Sequence, residues 1–276
     1  MRWKQFLTPV QSMNPDEARS FMADRSQDEF TLLDVRQPGE YEKRHIPGAK
    51  LIPIGELDQR LEEIDPGKPV LTYCAVGGRS RVAAQMLAGK GFDQVINLSG
   101  GIKAWEDPTA FGPVDHGLDL FTGNEPVEET LIIAYALEAG LRDFYLAMID
   151  QVEAEDVKSL FRKLSEVEQR HRERVLEEYV RITGEEMNQG TFESERVEQA
   201  VEGGWTTDEY IARFEPDWSR PSETLELAMS IEAQALDLYT RAADRSLDEQ
   251  GQRALKRLAE EERTHLNRLA EWMDRL

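Results

Sequence analysis

The sequence predicts a multidomain protein, with an N-terminal α/β domain (a parallel sheet with helices on both faces) followed by an all-α four-helix bundle. Two observations predict this division. Up to about residue 110, short apolar runs alternate with amphipathic segments, as in a parallel sheet with crossover helices. Beyond that point, two long helical hairpins repeat each other at an offset of 94 residues. We therefore expect an α/β domain at 1–108, a linker at 109–125 and the bundle at 126–276.

The composition narrows the classes of protein to which this chain can belong. Its 276 residues are 40% hydrophobic, enough to build a core in each of two domains. The net charge of −21 argues against nucleic acid and anionic membranes as partners. A single cysteine excludes a disulfide framework and a four-cysteine metal site. Because we find neither a signal peptide nor a spanning segment, we expect a cytoplasmic protein.

Seven segments are predicted to form the N-terminal domain. The strands are expected at 30–35, 50–54, 69–74 and 94–100, and the helices at 15–23, 55–64 and 80–91. Ligands of open parallel sheets bind beyond the carboxyl ends of the strands. Cys74 follows one predicted strand and precedes a predicted helix, so it is placed where such a site is expected.

The segment CAVGGRS, residues 74–80, has the parts of an anion-binding loop around this thiol. Gly77 and Gly78 allow the backbone to curl so that successive N–H groups point inward. The helix that follows contributes the positive end of its dipole, and Arg79 contributes a full charge. Such surroundings favour the thiolate, which predicts that Cys74 is a nucleophile. The alternative is an inert buried cysteine.

Three stretches of this domain resemble the rhodanese family over most of 1–110. They are LLDVRQPGEYEKRHIPGAKLIPIGEL (32–57), CAVGGRS (74–80) and VINLSGGIKAW (95–105). The resemblance implies that Cys74 and Arg79 are catalytic and that Cys74 carries sulfur as a persulfide. It also implies that Asp34 and Arg36 support the loop. The loop N–H groups that would hold the sulfur anion follow the cysteine, and the residues concerned are Ala75, Val76, Gly77, Gly78 and Arg79.

The related dual-specificity phosphatases are the alternative for this fold. Their loop has one more residue between cysteine and arginine, which makes room for phosphate. The shorter span from Cys74 to Arg79 therefore favours sulfur. With no second cysteine in the chain, the persulfide must pass to another molecule or another subunit.

The C-terminal half is built from an internal repeat. Aligned without a gap, residues 129–177 and 223–271 are identical at 16 of 49 positions. Each copy predicts two long amphipathic helices, and two such hairpins complete a four-helix bundle. The intervening segment 183–221 is too long for a tight turn. It is expected to cross over the bundle, with a short helix at TDEYIARF.

The repeat retains six potential metal ligands. Glu138 corresponds to Glu232, and each copy also has a Glu-x-x-His motif on one helix face. Four buried carboxylates are costly unless cations neutralise them, and two divalent ions would balance their charge. This is the ligand set of the ferritin-like dinuclear site, which suits iron or manganese, with zinc as an alternative. The six residues are Glu138, Glu168, His171, Glu232, Glu262 and His265.

This half resembles the rubrerythrin branch of the ferritin-like superfamily over about 126–276. The resemblance implies two irons that act on peroxide or oxygen, or that store iron. No rubredoxin module is present, and Ala235 stands where rubrerythrins tend to carry a further glutamate. Tyr145 and Tyr239 follow the first ligand of each copy by seven residues. They are expected to pack in the core or to hydrogen-bond the ligand carboxylates.

The sequence thus predicts a sulfurtransferase fused to a dinuclear metal centre that acts on reactive sulfur or peroxide. We expect a small sulfur donor and a thiol acceptor as partners, and a homodimer. One alternative is a peroxidase or oxidase whose rhodanese-like domain delivers reductant. The other is a non-catalytic metal-binding or sulfur-carrier protein.

Overall fold

The computed structural model describes residues 9–184 and 204–276, and these divide into two compact units at the boundary between Val114 and Asp115. Part of the predicted crossover, 185–203, and the first eight residues of the predicted 1–108 domain lie outside the described residues. Within the described part, no helix combines the length and the hydropathy that a membrane span requires.

The first unit contains one five-stranded parallel sheet in the order β1-β5-β4-β2-β3. The four predicted strands are present but shorter, and β1 is an additional, largely exposed edge strand that its polar sequence concealed. The strands are β1 (Gln11–Met13), β2 (Thr31–Asp34), β3 (Lys50–Leu51), β4 (Val70–Tyr73) and β5 (Val95–Leu98).

Helices α1 (Pro15–Ala23), α2 (Pro38–Tyr41) and α3 (Gly78–Gly89) belong to this unit. The predicted helix at 55–64 is wrong. Two short 3-10 turns, Leu57–Gln59 and Leu61–Glu63, replace it, because the backbone leaves helical geometry at Arg60. The spacing of apolar residues correctly predicts that Leu57 and Ile64 are buried. Two successive 3-10 turns bury these side chains as well as a helix would.

Both faces of the sheet are covered, as predicted. On one face, Leu33 and Val70 pack with Leu87 of α3. On the other face, Leu32 packs with Phe21 of α1. Adjacent residues of a strand point to opposite faces of the sheet, and both faces are buried. The strand sequences are therefore continuous apolar runs.

The second unit is a helical bundle of two hairpins. α4 packs on α5 and α7 on α8, while α8 also contacts α4 and α5 contacts α7. The short helix predicted in the crossover is present as α6, where Thr206 caps the helix by accepting from the Glu209 N–H. The helices are α4 (Val127–Ile149), α5 (Glu155–Thr183), α6 (Thr207–Phe214), α7 (Pro221–Arg245) and α8 (Glu249–Met273).

The predicted linker, 109–125, contains packed residues in each unit. Ala110 forms a backbone bridge with His45 in the first unit. In the second unit, Phe121 is fully buried, with its ring edge-on to Tyr239 at a centroid distance of 6.2 Å. The Gly123 carbonyl accepts from the Leu247 N–H at 2.8 Å. A segment rich in Pro, Gly and Asp therefore also contributes to the bundle core, which its composition did not indicate.

Replacing Phe121 by Ala should destabilise the bundle by about 3 to 5 kcal/mol, because truncating a fully buried phenylalanine leaves a cavity. Urea unfolding followed by the helical circular dichroism signal measures this loss. Val114→Ala is the control, since Val114 is 45% exposed and should change stability little. Equal stability of the two variants would show that 115–125 does not belong to the bundle core.

Candidate functional sites

Cys74 lies at the carboxyl end of β4, in the loop that leads into α3, and its side chain is buried. The Gly77 N–H donates to its Sγ at 3.1 Å, and the Ser80 hydroxyl lies 3.5 Å from the same atom. Gly77 has a φ of +92°, a left-handed conformation that glycine adopts without strain. The predicted curled loop is therefore present, with the thiol inside it.

A second glycine-containing turn supports this loop. The Ile102 N–H donates to the Cys74 carbonyl at 2.9 Å, and the Lys103 N–H donates to the Ala75 carbonyl at 3.1 Å. At Gly101, where φ is +57°, a Cβ atom would lie only 2.2 Å from the Cys74 carbonyl oxygen. Sequence reasoning did not assign Gly101 a role, although it lies within the SGG triplet at 99–101.

The pKa of the Cys74 thiol is lowered from its ordinary value. Burial by itself raises this pKa, but hydrogen bonds from the Ser80 hydroxyl and from the N–H groups of Ser80, Val76 and Gly77 outweigh burial. Hydrogen bonds to an anion favour the ionised form. The loop therefore stabilises a thiolate, mainly through its backbone and Ser80.

Arg79 interacts with Glu40 as well as with Cys74, and its catalytic role stays a prediction. Its guanidinium forms two hydrogen bonds with the Glu40 carboxylate, at 2.7 and 2.6 Å, and it also interacts with the Cys74 sulfur. Sequence reasoning missed Glu40, which lies on α2 and is 39 residues from Arg79 in the chain. Of the other loop residues, Val76 and Gly78 are exposed and Ala75 is half-buried.

Asp34 and Arg36 form a buried ion pair at 2.6 Å. The Arg36 guanidinium also donates to the Arg44 carbonyl, and the Arg44 guanidinium donates to the Ile102 carbonyl at 2.7 Å. This series of contacts ends at the turn that holds the Cys74 carbonyl. The placement agrees with the expected support of the loop, and the role itself stays a prediction.

The six predicted ligands converge in the core of the bundle, where all are at most 3% exposed. His171 Nδ1 lies 3.2 Å from Glu138 Oε2 and 3.0 Å from Glu168 Oε2. In the second copy, His265 Nδ1 lies 3.1 Å from Glu262 Oε2 and 3.5 Å from Glu232 Oε2. The repeat thus builds two equivalent groups of one imidazole and two carboxylates.

The two groups meet at their imidazoles. The rings of His171 and His265 stack with centroids 3.7 Å apart and planes 9° apart. Burial lowers the pKa of both histidines, that of His171 to about 4, so both are neutral at neutral pH. Neutral imidazole is the form that binds metals.

Glu232 is hydrogen-bonded within the cluster. Burial raises the pKa of Glu232, but hydrogen bonds with Glu262 and His265 lower it to about 2. A hydrogen bond between two carboxyl groups requires one of them to be protonated. A divalent cation can replace such protons and neutralise the remaining charge.

The donor set fits a pair of metal ions. Four carboxylates and two neutral imidazoles lie together. Ligand atoms of Glu138, Glu168 and His171 fall within 4.8 Å of one another, as do those of His171, Glu262 and His265, and Glu232 lies 3.5 Å from His265. Nε2 of His171 is buried and makes no hydrogen bond within the described part of the chain. Oxygen and imidazole ligands suit iron and manganese, and also accommodate zinc.

Tyr145 and Tyr239 are buried in the bundle, and their expected contact with the ligand carboxylates stays a prediction.

Sequence reasoning missed a different tyrosine. The Tyr135 hydroxyl accepts from the Arg172 guanidinium at 2.6 Å, and the guanidinium also lies 4.7 Å from the ring centroid. Tyr135 is one helical turn before Glu138, and Arg172 directly follows His171. Their positions relative to the predicted ligands could therefore have identified both residues from the sequence. Ala235 is fully buried.

Comparison with known proteins divides the chain in the same way. A rhodanese-like domain model matches residues 14–108, and a rubrerythrin model matches residues 129–273. The rubrerythrin match extends over more than half of the chain and indicates a di-iron centre. The two matches also confirm the predicted multidomain architecture.

Individual relatives match the N-terminal unit. "Uncharacterized protein YqhL" of Bacillus subtilis is 49% identical over 74 residues, which are 27% of this chain and 59% of the relative. "Putative sulfur carrier protein YrkF" of the same organism is 39% identical over 84 residues, 30% of this chain and 45% of the relative. The chain thus spans about half the length of these curated relatives.

Among solved structures, a rhodanese-like domain protein from Staphylococcus aureus is 27% identical and superposes with a TM-score of 0.35. The match covers 37% of this chain and 98% of that protein.

Replacing Ser80 by Ala should raise the pKa of the Cys74 thiol, because the thiolate loses its side-chain hydrogen bond and keeps those from the backbone. The rate of alkylation by iodoacetamide as a function of pH reports this pKa. Ser20→Ala, on the exposed face of α1, is the matched control and should behave as the wild type. A wild-type midpoint at or above about 8.5, the value of an unperturbed thiol, would show that the loop does not lower the pKa of Cys74.

Proposed function

Since this chain belongs to the rubrerythrin family and also carries a rhodanese-like domain, we propose that it is a sulfurtransferase with a dinuclear metal centre. Cys74 is the sulfur-carrying residue and the bundle cluster is the metal site. The observation that carries the first assignment is the hydrogen bonding of the Cys74 sulfur by Gly77 and Ser80 at the end of a parallel strand. These donors favour the thiolate, which is the nucleophilic form.

In the first step, the Cys74 thiolate attacks the outer sulfur of a donor such as thiosulfate. A bond forms between the two sulfurs, the S–S bond of thiosulfate breaks, and sulfite leaves with the bonding electron pair. The persulfide keeps one negative charge, now one atom further out in the loop. The loop N–H groups would donate hydrogen bonds to the terminal sulfur anion, as they do to the Cys74 thiolate.

In the second step, an external thiolate attacks the terminal sulfur and Cys74 leaves as a thiolate. The chain contains no other cysteine, so the acceptor is a separate molecule or a partner subunit. A small sulfur donor, a thiol acceptor and a homodimer remain our proposals for the partners. A sulfur carrier without turnover is the second candidate, because the relative YrkF bears that description.

In the bundle, Glu138, Glu168 and His171 would hold one metal ion. Glu232, Glu262 and His265 would hold the other. When bound, the two ions, iron by our proposal, supply redox chemistry toward peroxide or oxygen. The protein contributes four carboxylates that balance two divalent charges, imidazoles kept neutral by burial, and an apolar core that limits water.

The two domains together suggest action on reactive sulfur or peroxide. A peroxidase or oxidase that receives reductant from the rhodanese-like domain is the alternative arrangement. Thiosulfate:cyanide sulfur transfer and peroxide consumption, assayed on one metal-loaded preparation, separate these functions. Sulfur transfer without peroxide consumption favours the sulfurtransferase, and the reverse favours the peroxidase. Absence of both activities favours a carrier or metal-binding role.

Cys74→Ser should abolish sulfur transfer and leave the metal content unchanged, because the only thiol is lost and the bundle ligands are untouched. Thiosulfate:cyanide transfer and intact-mass detection of a persulfide measure the first effect, and elemental analysis measures the second. Sulfur transfer at the wild-type rate in this variant would rule out the assignment of Cys74.

Replacing Glu168 or Glu262 by Ala should lower the metal content below two ions per chain, since each carboxylate is both a ligand and part of the charge balance. The double variant His171→Ala/His265→Ala should lose most of its metal. Glu166→Ala is the control, because Glu166 is exposed and lies on α5, the helix that carries Glu168 and His171. Elemental analysis of anaerobically purified protein provides the measurement. A double variant that binds metal as the wild type does would place the site elsewhere.

A further inference from the structure

Glu40 and Arg79 form an ion pair beside the Cys74 loop. The pair is bidentate, with Nη1 2.7 Å from Oε2 and Nη2 2.6 Å from Oε1. The Arg79 side chain is 35% exposed and the Glu40 side chain 37%, so the pair is open to solvent and to an approaching donor. The Gln37 N–H also donates to Glu40, which fixes the carboxylate at the start of α2.

Arg79 is shared between Glu40 and the thiol. Its guanidinium is held by the carboxylate and also interacts with the Cys74 sulfur, so Glu40 determines where this positive charge lies. The hydrogen bonds from Arg79 lower the pKa of Glu40 to about 2, and the carboxylate is therefore ionised throughout the neutral range. The pair as a whole carries no net charge.

We propose that Glu40 sets the charge preference for the sulfur donor, which rests on the proposed sulfurtransferase function. Through its hydrogen bonds, Glu40 positions the Arg79 guanidinium beside Cys74. The negative charge of Glu40 also offsets the positive charge of Arg79, so the pair attracts an anionic donor less strongly than Arg79 alone would. A loop with an uncompensated arginine would favour the thiosulfate dianion. With Glu40 present, donors of lower negative charge, such as an organic persulfide, are preferred.

The chemistry of the two donors makes this preference measurable. Attack on thiosulfate expels sulfite, a dianion, whereas attack on an organic persulfide expels a thiolate with one charge. The Glu40 carboxylate repels the dianionic donor and leaving group more strongly than the monoanionic ones. Because the pair is partly exposed, we expect Glu40 to change the ratio of the KM values for the two donors only about fivefold. Salt should weaken this effect.

The experiment compares Glu40→Gln, Glu40→Asp and the control Glu42→Gln in the full chain, Glu42 being exposed. KM and kcat are measured for thiosulfate and for cysteine persulfide, with cyanide as the acceptor, at low and high ionic strength. Glutamine removes the charge and keeps one oxygen acceptor, because an NH2 group that cannot accept replaces the other carboxylate oxygen. We expect Glu40→Gln to lower the KM for thiosulfate about fivefold relative to that for cysteine persulfide, and less at high salt.

Glu40→Asp keeps the charge on a shorter side chain. It should therefore retain the wild-type donor preference and lose kcat with both donors. An unchanged ratio of the two KM values in an active Glu40→Gln protein overturns this inference alone. A wild-type protein that forms no persulfide on Cys74 with either donor, as judged by intact mass, overturns the proposed function and this inference with it.

Discussion

Compensation of buried negative charge is the constraint on which both halves of this protein depend. Transfer of an unpaired anion into a protein interior is prohibitively costly, so each buried anion must be matched by donors or cations. The first unit buries a thiol whose pKa is lowered, and the second buries four carboxylates. The loop glycines, the parallel sheet and the repeated helices can each be understood from how these charges are stabilised.

The two units meet this constraint with different chemistry. Around Cys74 the donors are mainly backbone N–H groups, which require a tightly curled chain and therefore Gly77 and Gly101 at positive φ. The Glu40–Arg79 pair lies beside this loop, and we propose that it acts on the charge of the sulfur donor. In the bundle the candidate ligands are side chains from four helices, and two divalent ions would supply the compensating charge.

The internal repeat gives the bundle two equivalent ligand groups in unequal surroundings. Residues 227–239 of α7 are buried on every side, whereas α4 exposes Asp143 to solvent. Its counterpart Asp237 is buried and paired with Arg241 at 2.8 Å. Both copies therefore retain their candidate ligands, whereas the same aspartate elsewhere on the helix is exposed in one copy and buried in the other.

The two-domain architecture, the order of strands and helices around Cys74 and the six residues of the bundle cluster could all be predicted from the amino-acid sequence. Those features follow from local periodicity and from spacing along one helix, which a linear sequence records. The structure decided the contacts between residues distant in the chain, such as Glu40 with Arg79 and Phe121 with Tyr239. It also replaced the helix at 55–64 by turns. Pairing partners and the choice between helix and turn depend on the packed neighbours, and only the tertiary structure supplies those.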